Sequence, residues 1–220
     1  MKNKEWCIIE FWEKIFDRLS KISIFNFIRK FIVKSNKHSF VDKWVFGNLV
    51  AAIISSAITY YLIDKFVGVL WIIITYASMR IFEVIIYQLN VFFFDQYRYE
   101  RNGNDYSIKS STRMVILLLH NYVEIMFWYV AIIISLIRIN GGGIHDSWVS
   151  CVQSNIICIA TFDSSGIREI IGGMNSNLGQ VIFLEIITGI IMTLISLARF
   201  IGVMPQVKCE NEIKRKFNKK

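Results

Sequence analysis

Proline is almost absent from this 220-residue chain; it occurs once, at position 205. Few places therefore exist where a helix must break, and long uninterrupted helices are permitted over most of the length. Histidine is scarce as well, at His38, His120 and His145, and these fall in different segments, so no metal centre is expected. The four cysteines, Cys7, Cys151, Cys158 and Cys209, form no CxxC pair, which removes the common redox and zinc frameworks. Cys151 and Cys158 are seven apart on one helical face and are expected as small packing residues. HExxH, GxSxG, GxGxxG and GxxxxGK[ST] are all missing, and with them the usual hydrolase, dinucleotide and phosphate-loop chemistries. His120 with Glu124 makes only half of a zinc-protease helix. No enzyme activity and no cofactor are expected. A short apolar core with a small-residue cleavage site is not visible at the N-terminus, so no cleavable signal is expected.

What the chain has is apolar mass in blocks. Hydrophobic residues make up 54 % of it, above the roughly 45–50 % of soluble domains. Blocks of about 20 residues match the ~30 Å bilayer core at ~1.5 Å per helical residue. The expectation is an all-α integral membrane protein with four spans, over residues 44–63, within 66–94, 114–137 and 178–198. Residues 1–43 carry ten Lys/Arg and five Asp/Glu. Within them Trp6, Ile9, Trp12, Phe16, Leu19, Ile22 and Phe25 recur at helical spacing, with Lys14, Arg18, Lys21, Arg29 and Lys30 largely between them. This pattern predicts a basic amphipathic helix suited to an anionic leaflet, or, alternatively, a helix packed on its own protein. The remaining divisions are a transmembrane hairpin at 44–94, a polar link at 95–113 with a turn signal at 102–105, a module at 114–205, and a basic tail at 206–220.

Charge fixes an expected orientation. With four spans, the N-terminus, the 95–113 link and the tail share one side and hold 21 of the 25 Lys/Arg. Lys65, Arg138 and Arg168 lie on the other side, and Arg80 lies within a span. Such a bias predicts a cell-membrane protein with both termini cytoplasmic. It also accounts for the net charge of +8 without a nucleic-acid partner, and none is expected.

Residues 161–170 read Thr-Phe-Asp-Ser-Ser-Gly-Ile-Arg-Glu-Ile. This polar loop sits between the short apolar segment 148–160 and the last span. The segment from 149 to 162 is too apolar for an exposed loop and too short and polar for a span, so a re-entrant helix is expected; the other reading is an ordinary connector, whose Ser, Asp and Gly content would suit it. The arrangement resembles the bacterial potassium-channel-like pore proteins, in which two helices flank a re-entrant loop. The likeness covers roughly the second half of the chain. The family pattern runs Thr-x-Thr-Thr-Val-Gly-Tyr-Gly-Asp-Ile. Thr161 keeps the first threonine, Asp163 replaces the second and Ser164 stands for the filter threonine. Ser165 replaces valine, Gly166 keeps the first glycine, Ile167 replaces tyrosine and Arg168 replaces the second glycine, while Glu169 and Ile170 keep the acidic–aliphatic ending. Asn121 to Glu124, Glu185, Gly189 and Arg199 resemble the flanks. The resemblance implies a homotetramer around one axis, backbone carbonyls of Ser164 to Ile167 lining a filter, and Gly189 as a bending point of the inner helix. Arg168 departs most, because filter carbonyls align only if some residues take φ > 0, which glycine tolerates and a long side chain does not.

Two functions follow as expectations. One is passive conduction of monovalent cations through a degenerate, weakly selective filter. The other is a non-conducting membrane scaffold or signalling subunit that keeps the channel architecture. A carrier working through His120, Glu124 and Glu185 is weaker, since no inverted repeat is apparent. Charged groups at bilayer depth cost roughly 2.5–3.5 kcal/mol on insertion scales and usually face partners. The spacing predicts Arg80 pairing with Glu83, and His120 with Glu124 beside Asn121. Glu185 is then expected to bond the pore helix or Arg80. Together these would form a polar clamp across the spans.

Overall fold

The computed structural model describes residues 7–21, 37–61, 66–101, 111–172 and 176–203. The turn signal at 102–105, the residues following Lys21 in the N-terminal pattern, and the basic tail lie outside these. Among the described residues every regular element is a helix: α1 Cys7–Lys21, α2 Lys37–Tyr61, α3 Val67–Arg101, α4 Ser111–Ile139, α5 Trp148–Thr161, α6 Ser165–Ile171 and α7 Ser176–Val203. Four of them contain stretches long and apolar enough to cross a membrane, Val41–Tyr61, Val67–Phe94, Arg113–Ile139 and Asn177–Gly202. The chain is thus a membrane protein of four candidate spans, with a fifth apolar helix, α5, too short to be another.

The spans do not share the burden of packing equally. In the most apolar part of α4 67 % of the residues are buried, against 33 % or less in the other three spans. α4 packs on α2, α3, α5 and α7. Its sequence explains this, because residues 125–137 are apolar on every side apart from Ser135, and a helix apolar all round has no face that prefers the outside. Ile125, Trp128, Ala131, Ile132, Met192 and Ile195 build the main core. Small residues, Ala52 and Ala77, bring α2 and α3 in close.

Hydroxyl and amide pairs stitch the helices. The Tyr129 hydroxyl lies 2.9 Å from Thr188 Oγ1 and the Tyr122 hydroxyl 3.0 Å from Thr193 Oγ1, both joining α4 to α7. Tyr76 donates to Asn48 Oδ1 at 2.8 Å, joining α3 to α2. Such bonds between spans contribute on the order of 0.6 kcal/mol each.

α4 ends where Gly141 takes φ +73° and the Gly142 N–H returns to the Ile137 carbonyl at 2.9 Å, the left-handed helix stop that glycine favours. The loop that follows is pinned to the end of α2. Tyr60 donates its hydroxyl to the Asp146 carbonyl at 2.7 Å, and Arg138 Nη2 donates to the Tyr60 carbonyl.

At the other end α1 docks on the extension of α3. Glu13, 7 % exposed, accepts from Arg98 Nε and Arg101 Nη1, both at 3.1 Å. Asp17 accepts from Arg98 Nη2 at 2.7 Å, and the rings of Phe16 and Phe94 lie 5.5 Å apart. Ile8, Phe11 and Trp12 stay exposed.

Candidate functional site: a helical hairpin and a buried charge cluster

α5 starts with Ser147, whose side chain accepts the Ser150 N–H at 3.1 Å. This satisfies one of the free donors of a helix start. It stops at Phe162, which adopts φ +62° and returns its N–H to the Cys158 carbonyl at 2.8 Å. A non-glycine residue there is strained. The strain is tolerated because it turns the chain sharply: Asp163 then caps the next element, taking the Ser165 N–H on Oδ1 and the Ser165 hydroxyl on Oδ2, both at 2.9 Å. These bonds hold the Asp163 carboxyl below its usual range. α6 runs from there to Gly172, which takes φ +64° and donates to the Arg168 and Glu169 carbonyls.

The two helices make a closed hairpin. At its tip, the Ile159 carbonyl meets Gly189, with a Cβ built on Gly189 lying 2.8 Å from that oxygen. Gly189 is midway along the Asn177–Gly202 stretch. On the return, Gly166 lies against Ser154, and Ile167 joins Ile133, Ile137, Cys158, Leu178 and Ile182 in one cluster. At the open end Ile170, Ile144, Trp148 and Val152 pack against a cluster of Val130, Ile134 and Cys151. The chain therefore enters and leaves the hairpin at one end of the bundle, the end where α4 stops and α7 starts.

The residues expected as a filter are largely helical, without the φ > 0 positions that aligned filter carbonyls need. Ser165 to Ile171 is helix, and the Ser164 carbonyl accepts the Arg168 N–H at 3.0 Å. The cause is local: Asp163 supplies a helix-start cap, and Gly172 the helix stop. Carbonyls within a helix point along its axis, so they cannot form a ring that replaces an ion's water shell. Thr161 bonds back to the Ile157 carbonyl at 2.7 Å. Thr161, Asp163, Ser165, Arg168 and Glu169 are exposed, while Ser164 and Ile167 are buried. Gly189 is buried, and its missing side chain has a clear steric reason, the close approach of α5.

The intramembrane charges are also arranged differently from the spacing pattern. Arg80 does bond Glu83, at 2.7 Å from Nη1 to Oε2. Its second partner is Glu124 on α4, gripped at 2.7 Å from Nε and 3.2 Å from Nη2. Glu124 has no exposed surface and also accepts the Trp128 indole N–H at 3.1 Å. The Arg80 guanidinium lies 5.8 Å from the centre of the Trp44 ring. His120 is not Glu124's partner: its Nδ1 lies 2.8 Å from the Ile116 carbonyl, and the ring borders a groove of about 490 Å³ with Asp42, Phe46 and Arg113. Asn121 is buried with its Oδ1 unbonded among the described residues. Glu185 bonds neither α5 nor Arg80; both carboxylate oxygens are buried without a hydrogen-bond partner among the described residues. The clamp consequently joins α3 and α4 only.

Sequence reading missed Trp128, Tyr129, Tyr122 and Trp44 as members of these networks. Trp128 carried a usable signal, being four residues from Glu124 on the same helix. The cross-helix hydroxyl pairs had none, because nothing in a linear pattern sets the rotation of two helices.

Cys151 and Cys158 are free and buried. Burial pushes their thiols up, to about 11 and about 12. The thiolate is the reactive form. We expect maleimide to leave both unmodified at neutral pH in the folded protein and to modify both after unfolding, as read by peptide mass; rapid labelling of the folded protein would contradict the burial of the hairpin.

No protein-family model, no curated protein and no solved structure matches the chain. What the geometry defines is a class: an all-helical membrane protein of four candidate spans with a helical hairpin lodged against the third and fourth.

Proposed function

We propose that this chain is a subunit of a channel-type membrane assembly that does not conduct potassium, and that it acts as a scaffold or signalling subunit in the cell membrane. The observation that carries this reading is the hairpin. It enters and leaves at one end of the bundle and reaches the middle of α7, which supports re-entry into the bilayer from one face. In this reading both termini are cytoplasmic, and the hairpin opens to the outside. Irregular backbone at bilayer depth is tolerated only where protein or a water-filled cavity surrounds it, and a tip covered by neighbouring copies around a common axis satisfies that condition. The helical α6 favours the non-conducting form over passive cation flux, since its carbonyls are engaged within the helix and Arg168 stands beside them. The exposed Ile8, Phe11 and Trp12 on α1, with the basic residues around them, suit contact with an anionic inner leaflet.

The test is twofold. The mass of the protein in mild detergent and in nanodiscs is expected to correspond to several copies, with four implied by the resemblance; a stable monomer in both would sink the assembly. Liposomes holding the wild-type protein or Arg168→Gly are expected to pass potassium and sodium no faster than protein-free liposomes. Flux through the wild type would restore the conducting reading. A gain seen only in Arg168→Gly would mean that the arginine, rather than the helical α6, closes the pore.

A further inference from the structure

Glu185 has a chemical problem that the rest of the fold does not solve. Its side chain has no exposed surface, and neither carboxylate oxygen has a hydrogen-bond donor among the described residues. An ionised carboxylate in such a place would cost several kcal/mol. A second orphan lies on α5, which packs on α7. Asn155, 2 % exposed, spends its amide N–H on the Cys151 carbonyl at 2.8 Å and leaves its Oδ1 unbonded. Gly189 meets Ile159; Glu185 stands one turn before Gly189 on α7, and Asn155 one turn before Ile159 on α5. Both groups are acceptors.

Two donors on the adjoining helices are already engaged. Tyr129 has its hydroxyl paired with Thr188. On α3, Arg80 is held by Glu83 and Glu124. The buried charges of the spans thus comprise one guanidinium and three carboxylates, Glu83, Glu124 and Glu185. Arg80 serves the first two. Among the described residues no ion pair reaches the third.

We propose that Glu185 binds an exchangeable monovalent cation, a proton or an alkali ion, in the layer between α4, α5 and α7 behind the hairpin. Asn155 Oδ1 supplies the second oxygen for an alkali ion, or a bridging acceptor when the occupant is a proton. The site lies within one copy of the chain and away from the tip, so it does not depend on assembly or conduction. Its occupancy neutralises the face of α7 against which the hairpin rests. Loss of the cation would leave a bare charge there and loosen the hairpin.

The experiment uses the full chain in nanodiscs, at several pH values, with sodium, potassium or the bulky N-methylglucamine cation. Two quantities are read: the thermal unfolding midpoint, and the infrared carbonyl band of a protonated carboxylic acid. If the occupant is an alkali ion, a tenfold excess over its dissociation constant raises the folded-to-unfolded ratio about elevenfold by mass action. The midpoint then rises with that ion over N-methylglucamine, and Glu185→Gln abolishes the rise. If the occupant is a proton, the midpoint ignores the alkali ions, while a protonated-acid band is present in the wild type and absent in Glu185→Gln. Glu185→Asp, which keeps the acid, serves if the glutamine form does not fold, and is expected to shift the band or the ion response rather than abolish it. An unfolding midpoint indifferent to all three cations, together with no protonated-acid band attributable to residue 185, overturns the proposal. Labelling of Cys158 under the same conditions reports the hairpin separately from flux and oligomeric mass. Failure of the cation site is therefore distinguishable from failure of the assembly.

Discussion

Arg80→Leu is expected to lower the unfolding free energy by about 3–5 kcal/mol, the cost of leaving a buried charge without its partner. Here two carboxylates lose their bonds to the guanidinium at once. Glu83 is 7 % exposed and Glu124 has no exposed surface, and the guanidinium bonds both, Glu83 at 2.7 Å and Glu124 at 2.7 and 3.2 Å. The bidentate grip on Glu124 is the stronger kind of charged hydrogen bond. Glu124→Gln is expected to cost less, about 1–3 kcal/mol. Its amide oxygen still accepts from Arg80 or Trp128, and Arg80 keeps Glu83. The ordering separates an electrostatic role from a packing role, because glutamine preserves the volume of glutamate. Reversible unfolding in mixed detergent micelles, followed by tryptophan fluorescence, gives both values. A loss below about 1 kcal/mol for Arg80→Leu would mean that water or lipid headgroups reach the cluster, against the burial described above.

Gly189→Ala is the second large effect. A methyl group at this position would lie 2.8 Å from the Ile159 carbonyl oxygen and 3.3 Å from its Cα. Both are backbone atoms of α5, so no side-chain rotation relieves the clash. Overpacking of this kind costs typically about 1–3 kcal/mol. The structural response is expected in the hairpin rather than in α7, whose helix accepts alanine well. Cys158 lies one residue before Ile159, so its exposure reports the displacement. Gly189→Ala is expected to lower the unfolding midpoint and to make Cys158 reactive to maleimide in the folded protein. A bending hinge at Gly189 would behave differently: alanine would leave both the midpoint and Cys158 unchanged and alter only motion of α7.

The four candidate spans were legible because bilayer thickness imposes a length, and length with hydropathy is a linear property. The positions of α2, α3, α4 and α7 follow the expected spans closely, and α5 was visible as an apolar segment too short to be another. Arg80 with Glu83 was legible for the same kind of reason, since three residues along a helix return to one face. Helical periodicity also put His120 and Glu124 within reach of each other, and there it misled, because two residues on one helix face still turn toward different neighbours. Glu124 points to the interior and to Arg80, 44 positions away in sequence, while His120 faces a groove beside α2.

The hairpin divides in the same way. Its first helix, α5, could be read as a short apolar segment followed by polar residues. The conformation of residues 165–171 could not be read from likeness to a filter sequence. Asp163 and Gly172 decide it locally by starting and stopping a helix, and the packing of Ile167 against α4 and α7 completes it. Gly189 was expected, on the resemblance, as a bending point of the last span. Only the placement of Ile159 against it selects contact.

The sequence by itself therefore determined the helical class, the four candidate spans and the residues that are costly in a membrane. The tertiary structure alone decided which of those residues meet. It made α4 the central helix, gave Arg80 its second carboxylate and left Glu185 without a donor among the described residues. The physical reason is that hydropathy and helical period act along the chain, whereas the rotation of each helix about its axis is settled by side chains from several helices competing for one buried space.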